Sequence, residues 1–407
     1  MNTTVLYRSN TEIVGRWSDS IEPASVSTSL GTVSLRLTSD LSSLQGLWET
    51  MQRTTPCAAS QTYDWARAWV KHVLAPQGLE PVIVVGYGAD GSPLFLWPFE
   101  MRTVSGLRVL KWLSQDHVNY AMGLFTPEAA RAFTRTDMSR LLYAAGHQTN
   151  AAAALLEVQP MVWDGTPNPF ALLPQQHAPN SGYAIRLRDF TALYEERFSK
   201  RSRNTLDRKA RRLSELGSLA YGWAATREER LAVLDAFFAQ KAKQFASMGI
   251  ANMFDSAACA FYRDLALLDD DNPSRLRLGY VKLDGAVLAT FNGFLYQDRV
   301  EIALSSLAEG ETQRHSPGAL LLRHQIKGSC EAGIAYYDLG VGKARHKAEW
   351  CDTEHALFDS FIPLKPQGLL VTLPRAAASR LKRVIKSNRH LWSFAQATRK
   401  RLLGRGD

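Results

Sequence analysis

The fold of this chain is decided by residues 313–319, which read Gln-Arg-His-Ser-Pro-Gly-Ala and follow a predicted strand. Ser316 suits the N-cap of a helix, and Pro317 suits its first turn. Gly318 has no side chain, so a ligand can approach the backbone there. A helix that begins directly after a strand offers free backbone amides and the positive end of its dipole. This segment is therefore predicted to hold a phosphate group, with Arg314 beside it.

The elements around this segment follow a regular order along the chain. Two apolar runs flank Asp284-Gly285, a turn pair typical of hairpins. Another strand leads into residues 313–319, a helix continues to about Glu331, and a further strand ends at Leu339 before the turn at Gly340. The predicted strands of this region are 278–281, 286–291, 300–306 and 334–339.

The first half of the sequence repeats this order. Gly86-Tyr87 precedes Asp90-Gly91 as Gly279-Tyr280 precedes Asp284-Gly285, at a spacing of about 190 residues that indicates a duplicated domain. The first copy has Thr126-Pro127-Glu128 at the corresponding helix start, where an acid would repel phosphate. The second copy is therefore predicted to be the phosphate site. The predicted elements of the first copy are strand 33–37, helices 41–52 and 63–73, strands 81–87 and 94–102, helix 127–145 and strand 154–158.

Several dispersed groups of residues carry a resemblance to a known family. They are Tyr63-Asp64-Trp65 with Trp69, the basic run 200–213, Ser316-Pro317-Gly318, Tyr337-Asp338-Leu339 with Gly342, and Lys347 with Trp350. With these residues the chain resembles the GNAT acyltransferase superfamily. Within it, the chain is similar to the CelD/BcsL group of cellulose-biosynthesis acetyltransferases, which is related to the FemAB transferases. The resemblance covers roughly residues 33–365.

The resemblance and the internal repeat together predict an α/β (α+β) fold. It consists of two tandem GNAT-like domains, each a mixed central sheet flanked by helices. The expected divisions are a mobile leader at 1–32, a degenerate N-terminal GNAT-like domain at 33–180, a C-terminal acyltransferase domain at 181–365 and a basic amphipathic tail at 366–407.

The resemblance also implies a reaction. Acetyl-CoA or a longer acyl-CoA would lie where strands 300–306 and 334–339 part, and an acceptor amine or hydroxyl would attack the thioester directly. The implied acceptor is a sugar or polysaccharide precursor, free or lipid-linked, and no metal is needed. Two alternatives stay open. One is FemAB-like transfer from aminoacyl-tRNA, and the other is a non-catalytic factor in exopolysaccharide assembly.

Three residues are predicted to handle protons. Asp338 ends a buried strand, where a carboxylate often serves as a base, but it could equally cap the turn that follows. Glu301, at the head of the neighbouring strand, is the alternative base. His346 stands where the family usually has a tyrosine, which leaves the identity of the general acid open.

The binding residues are predicted from positive charge and from the family pattern. Arg314, Ser316, Gly318 and Lys347 are assigned to the acyl-CoA phosphates, and Trp350 to the core. Arg203, Arg208 and Arg212 are assigned to an anionic acceptor. They lie on a predicted helix whose apolar face is Leu206, Ala210 and Leu213, and a simple solvated face is the alternative.

The net charge of +9 resides in the tail. Residues 366–407 hold ten Lys or Arg and one acid, so ten minus one accounts for all nine charges and the body is formally neutral. Basic residues there alternate with apolar ones such as Trp392 and Phe394, a pattern typical of helices on anionic lipid. A solubilising tail and a nucleic-acid contact are the alternatives. The expected location is the cytoplasm, with peripheral contact at the inner face of the membrane.

Overall fold

Two mixed β-sheets and their flanking helices form the computed structural model, which describes residues 23–387. The strands are β1 Ala24–Thr28, β2 Gly31–Thr38, β3 Pro81–Tyr87, β4 Pro93–Val104, β5 Leu107–Trp112, β6 Leu124–Phe125, β7 Ala153–Pro160, β8 Val162–Trp163, β9 Thr166–Pro167, β10 Gln176–His177, β11 Gly182–Arg186, β12 Leu219–Trp223, β13 Arg277–Leu283, β14 Ala286–Tyr296, β15 Arg299–Leu307, β16 Tyr336–Val341, β17 Thr353–His355 and β18 Leu357–Pro363. The α-helices are α1 Gln45–Thr54, α2 Tyr63–Trp69, α3 Pro127–Ala132, α4 Arg135–Gln148, α5 Phe190–Arg197, α6 Lys200–Ser214, α7 Arg227–Ser247, α8 Ser256–Ala266, α9 Pro317–Glu331, α10 Arg345–Trp350 and α11 Leu369–Ser387.

The two sheets share one strand order. The first runs β1-β2-β3-β4-β5-β7-β18-β10, with β6 paired to β4, and the second runs β12-β13-β14-β15-β16-β11-β17. Neighbouring strands are antiparallel except for one parallel pair in each sheet, β5 with β7 and β15 with β16. A helix joins the two strands of each parallel pair, namely α4 in the first sheet and α9 in the second. The predicted fold class of two mixed sheets flanked by helices is confirmed.

The first sheet contains a strand from the predicted second domain, and this corrects the predicted boundary at residue 365. Strand β18, expected in the second domain, pairs with β7 from Leu357↔Pro160 to Pro363↔Ala153. The described residues therefore divide into a first unit of 23–181 with 355–387 and a second unit of 182–354. The pairing of β18 joins residues about 200 positions apart, which local sequence patterns do not reveal.

Two further expectations for the first unit are wrong. Part of the predicted leader is ordered, because β1 pairs with β2 around a turn that Gly31 permits at φ 88°. The helix expected at 127–145 is two helices, α3 and α4, because the chain leaves the helical conformation at Phe133, where φ is −62° and ψ is 134°. Helix α4 is therefore the counterpart of α9, and it begins at Arg135.

Each unit has its own hydrophobic core. In the first, aromatic side chains in edge-to-face and tilted contacts fill much of the core, among them Trp97, Phe99, Trp112 and Phe170. In the second, one sheet face packs on α9 and on the apolar side of α6. Leu213 is fully buried there, and Leu206 and Ala210 pack against the same cluster, which confirms the predicted apolar face of α6. Trp350, predicted as core, is also buried and stacks on Tyr194.

Helix α11 occupies the start of the predicted tail. It packs on β7 and β18 of the first unit and buries Val371 and Thr372. The tail is therefore not separate from the body as far as residue 387. Its predicted anchors Trp392 and Phe394 lie outside the described residues. Within residues 23–387, no helix is both long enough and apolar enough to cross a bilayer.

Candidate functional site

The central strands of the second unit part in the middle of the sheet. Strands β15 and β16 pair in parallel from Arg299↔Tyr336 to Glu301↔Asp338, and the ladder then stops although both strands continue. On its other side β15 carries a bulge, since Asn292 pairs with Leu304 and Gly293 with Ile302, which leaves Ala303 as an extra residue. A bulge bends its strand and increases the local twist. The predicted cleft between strands 300–306 and 334–339 thus has its counterpart in the structure.

Helix α9 begins beside this cleft with a free amide. Ser316 adopts the left-handed conformation, with φ 54° and ψ 53°, and its side chain does not cap the helix. That corrects the predicted N-cap role, because a capping side chain needs extended backbone at this position. Pro317 has no N–H, and among the described residues the Gly318 amide has no hydrogen-bond partner. A Cβ on Gly318 would meet only Leu307 at 3.9 Å and Phe291 at 4.0 Å, so the approach to this amide is open.

A lysine from the basic helix reaches this helix start. Lys209 Nζ donates a hydrogen bond of 2.7 Å to Ser316 Oγ across a sequence separation of 107 residues. Helix α6 is held in position by an ion pair between Arg323 Nη1 on α9 and Asp207 Oδ1, 2.6 Å apart. The free amide, the helix dipole and the Lys209 ammonium therefore act on the same point. A free backbone donor and a positive side chain thus meet at this helix start, a combination that favours the binding of an anion.

Arg314 lies one turn before this helix and is largely exposed. Its Nε donates to His315 Nε2 at 3.2 Å, and its Nη2 lies 3.9 Å from Glu311 Oε2. His315 is buried, so it anchors the base of the arginine side chain while the guanidinium stays in solvent. Arg314 therefore lies next to the start of α9 with its guanidinium accessible, and its predicted contact with a phosphate stays a prediction.

Asp338 is buried and already partnered. It has no exposed surface, its Oδ1 accepts a 2.7 Å hydrogen bond from the Gly340 amide, and its Oδ2 lies 3.5 Å from Arg299 Nη1. Glu301, also buried, occupies the paired position on β15. Of the two roles predicted for Asp338, the structure shows the turn cap. Its carboxylate has no surface at which a substrate could meet it.

Lys347 points into the same turn and away from the helix start. Its Nζ donates to the carbonyls of Gly340 and Val341 at 2.9 and 3.0 Å. Burial lowers the pKa of this ammonium to about 8, although the negative charge of Asp338 opposes the shift. These two hydrogen bonds hold Lys347 on the Gly340 turn, and this geometry does not show the predicted contact of Lys347 with a phosphate.

His346 lies half-buried near the mouth of the cleft. Its ring meets the edge of Phe291, with centroids 6.1 Å apart, and Phe291 in turn approaches Gly318. Burial lowers the pKa of His346, and the neighbouring Lys347 lowers it further, while Glu349 opposes them. The imidazole is therefore neutral at neutral pH. A neutral imidazole can accept a proton, so His346 suits a general base, whereas the sequence left the identity of the general acid open.

The three arginines predicted to bind the acceptor lie on different sides of α6. Arg203 forms an ion pair of 3.0 Å with Glu195 and donates to the Phe198 carbonyl. Arg208 and Arg212 are exposed, and they lie one turn apart, with Arg212 one turn after Lys209. Arg203 therefore lies on a different side of α6 from Arg208 and Arg212. Lys209, not Arg203, is the third cation near these two arginines.

The sequence analysis did not predict a polar network between α7 and the face of the second sheet that lies opposite α9. Thr290 and Ser306 share a hydrogen bond of 2.9 Å, and Ser306 Oγ donates to Gln240 Oε1 at 2.6 Å. Gln240 Nε2 donates to the Val287 carbonyl at 2.8 Å. The network fixes α7 on β14 and β15 next to the bulge. Thr290 and Asn292, two polar residues at alternate positions of an otherwise apolar strand, were the signal that could have revealed it. Among residues 23–387, no group of three or more His, Cys, Asp or Glu is arranged to hold a metal.

Comparison with known proteins agrees with this geometry. Residues 200–348, which include α6, the parted strands, α9 and His346, match a family model described as an acetyltransferase (GNAT) domain. This part of the second unit is a GNAT-type acetyltransferase domain. No curated protein matches the sequence significantly.

Solved structures show the same fold over most of the chain. The crystal structure of FemX is 13% identical, covers 81% of this chain and 98% of FemX, and has a TM-score of 0.56. A conserved protein of unknown function from Bacteroides thetaiotaomicron VPI-5482 is 10% identical, with coverages of 80% and 99% and a TM-score of 0.50. A tandem GNAT protein from the clavulanic acid biosynthesis pathway is 10% identical, with coverages of 82% and 99% and a TM-score of 0.45. At these identities the likeness is one of fold.

Proposed function

We propose that the second unit transfers an acyl group from acyl-CoA to an amine or hydroxyl acceptor. One observation carries the proposal. The free Gly318 amide and Lys209 lie at the start of α9, directly beside the point where β15 and β16 part. An anion site next to an open strand pair suits a molecule with a phosphorylated head and a long thin arm, and CoA has this shape. Arg314 supplies a further cation for its phosphates.

The reaction needs one proton acceptor and no covalent intermediate on the enzyme. The acceptor's nitrogen or oxygen attacks the thioester carbonyl, and the new C–N or C–O bond forms as the C–S bond breaks. The proton released by the nucleophile goes to the neutral imidazole of His346, and the CoA thiolate then takes up a proton. Glu301 is the second choice of base, because it is buried at the last paired position of β15. Asp338 is given no proton-transfer role.

The acceptor that fits best is anionic. Arg208 and Arg212 are exposed on α6 beside Lys209 and could bind the phosphates of a nucleotide- or lipid-linked sugar. The resemblance to the CelD/BcsL group supports a precursor of cellulose or another exopolysaccharide. With that acceptor the chain would be an exopolysaccharide acyltransferase that takes an acetyl or longer acyl group.

A thiol-release assay tests the proposal. Purified protein is incubated with acetyl-CoA or longer acyl-CoAs and a panel of amino sugars and nucleotide sugars, and products are identified by mass spectrometry. We expect acceptor-dependent release of free CoA, lost in His346→Ala. The fold shared with FemX favours one alternative, FemAB-like aminoacyl transfer, so a parallel arm supplies charged tRNA. Turnover with charged tRNA alone would select that alternative, and turnover in neither arm would support a non-catalytic role in assembly.

A further inference from the structure

Helix α11 lies on the first unit with its polar side inward. Arg375 Nε is 2.7 Å from Glu157 Oε1, Ser379 Oγ donates to Asp359 Oδ2 at 2.8 Å, and Lys386 Nζ donates to Asn180 Oδ1 at 2.9 Å. A surface helix of a globular protein normally presents its apolar side to the core. Here Val371 packs in a small apolar cluster near the start of the helix, and one ion pair and two hydrogen bonds attach the rest of the helix by its polar side.

The apolar side of α11 consequently faces solvent. Leu370 is 72% exposed, Leu373 63%, Leu381 61% and Val384 53%, and Ala377 is exposed between them. Their spacing of three, four, four and three residues places all five on one stripe of the helix. We call these five residues the outer stripe. A continuous exposed apolar stripe marks an interaction surface.

The charge of the helix determines which partner fits the outer stripe. Within residues 369–387 there are five Lys or Arg and no Asp or Glu. Arg380 and Arg383 are exposed and lie on one side of the stripe on the helical wheel, and Arg380 also donates to Gln176 Oε1 at 2.7 Å. A two-fold contact between two copies would bring both sets of cations together without any carboxylate on either helix. The charges therefore disfavour a second copy and favour an extended anionic surface.

We propose that the outer stripe docks this chain on an anionic lipid bilayer, with α11 parallel to the membrane plane. The leucines would enter the boundary between headgroups and acyl chains, and the arginines beside the stripe would meet lipid phosphates. The helix is about 28 Å long at 1.5 Å per residue, so the stripe is accessible along its whole length only in this orientation. The exposed stripe begins at Leu370, near the start of the predicted tail at 366–407.

Vesicle flotation with the full-length chain tests this proposal. The probes are vesicles of equal parts phosphatidylglycerol and phosphatidylcholine, and vesicles of phosphatidylcholine alone. The test variant is Leu370→Ser/Leu381→Ser. The matched control, Leu30→Ser/Leu172→Ser, removes two exposed leucines elsewhere in the first unit. We expect the wild type to bind the anionic vesicles only and the test variant to bind at least tenfold less. The control should bind as the wild type does, and thermal unfolding should be unchanged in both.

Three outcomes would overturn the proposal. The first is wild-type protein that does not bind anionic vesicles. The second is undiminished binding by the test variant together with loss of binding when residues 388–407 are deleted, which would move the contact beyond α11. The third is a concentration-dependent dimer in sedimentation that the test variant abolishes, without vesicle binding, which would make a second copy the partner of the outer stripe.

Discussion

The two units share a strand order but differ at the start of the helix that joins their parallel strands. In the first unit, Asp137 fills the start of α4. Its carboxylate accepts hydrogen bonds from Thr134 N at 2.9 Å, Thr134 Oγ1 at 2.7 Å and Ser29 Oγ at 2.8 Å. In the second unit, Ser316 turns its side chain to Lys209, and the Gly318 amide stays open. The first unit thus places its own carboxylate at this helix start, whereas the second unit leaves the helix start open to an external anion.

A second difference lies where the parallel strands pair. In the first unit the paired residues are apolar, Val109 with Ala153 and Leu110 with Ala154. In the second they include Arg299, Glu301 and Asp338, all buried. The same topology therefore serves as a closed scaffold in the first unit and leaves an open helix start in the second. The choice depends on a few side chains around one helix start and one strand pair.

The largest expected effect concerns Asp338. Asp338→Asn removes the charge opposite the buried Arg299, and breaking such a pair costs about 3–5 kcal/mol in free energy of unfolding. Urea unfolding measures the loss. We expect acyl-CoA affinity to be retained wherever the variant is folded. Unchanged stability with a large fall in kcat would instead make Asp338 the catalytic base.

The next effect concerns the cation at the open helix start. Lys209→Ala removes a charged partner of a bound phosphate, which corresponds to about 1.5–3 kcal/mol, or roughly ten- to a hundredfold in the dissociation constant for acetyl-CoA. Calorimetric titration measures this change. Arg203→Ala is the matched control on the same helix, since Arg203 pairs with Glu195, and it should leave the affinity unchanged. Equal losses in both variants would argue for a general effect of charge.

A smaller effect is expected at the closed helix start. Asp137→Ala removes the capping carboxylate and should cost about 0.5–2 kcal/mol in free energy of unfolding, with no change in acetyl-CoA binding. Burial would raise the pKa of Asp137, but hydrogen bonds from Thr134 and Ser29 outweigh it and hold the pKa below its usual value. The carboxylate therefore stabilises the fold above its unfolded-state pKa. That contribution is lost as the pH falls through the lower folded-state pKa, where variant and wild type should converge in stability.

The smallest expected effect is a shift in the pH dependence of kcat/KM. Because burial lowers the pKa of His346, the acid limb of kcat/KM should lie below about 6.5, the ordinary histidine value. The rate falls when the pH drops far enough to protonate the imidazole. His346→Gln should remove this limb and lower the rate, with acetyl-CoA affinity retained. A limb that persists in the variant would transfer the role of base to Glu301.

Local patterns in the sequence were sufficient to predict most of the helices and strands. Turn pairs such as Asp90-Gly91 and Asp284-Gly285 lie at the tips of the two predicted hairpins, and the apolar face of α6 was correct to the residue. These features depend on side chains close together in the chain. The start of α9 was also placed correctly at Pro317, because Ser-Pro-Gly is a local signal.

Long-range contacts account for what the sequence did not reveal. The placement of β18 in the first sheet and the bond from Lys209 to Ser316 each join residues more than 100 positions apart. The role of Lys347 was equally inaccessible, and the sequence did not decide between the two predicted roles of Asp338, since both depend on how the turn at Gly340 folds back on these side chains. Charge and residue type suggested binding, but only the backbone conformation shows which cations point outward.

Calorimetric titration with acetyl-CoA tests most directly whether the open helix start is the anion site. The proteins compared are the wild type, Ser316→Glu, and Thr136→Glu, which places the same charge at the exposed first turn of α4. We predict that Ser316→Glu weakens binding at least a hundredfold, because a carboxylate would fill the site and neutralise Lys209. Thr136→Glu should bind as the wild type does. Binding that is lost in Thr136→Glu and retained in Ser316→Glu would contradict the account and place acyl-CoA on the first unit.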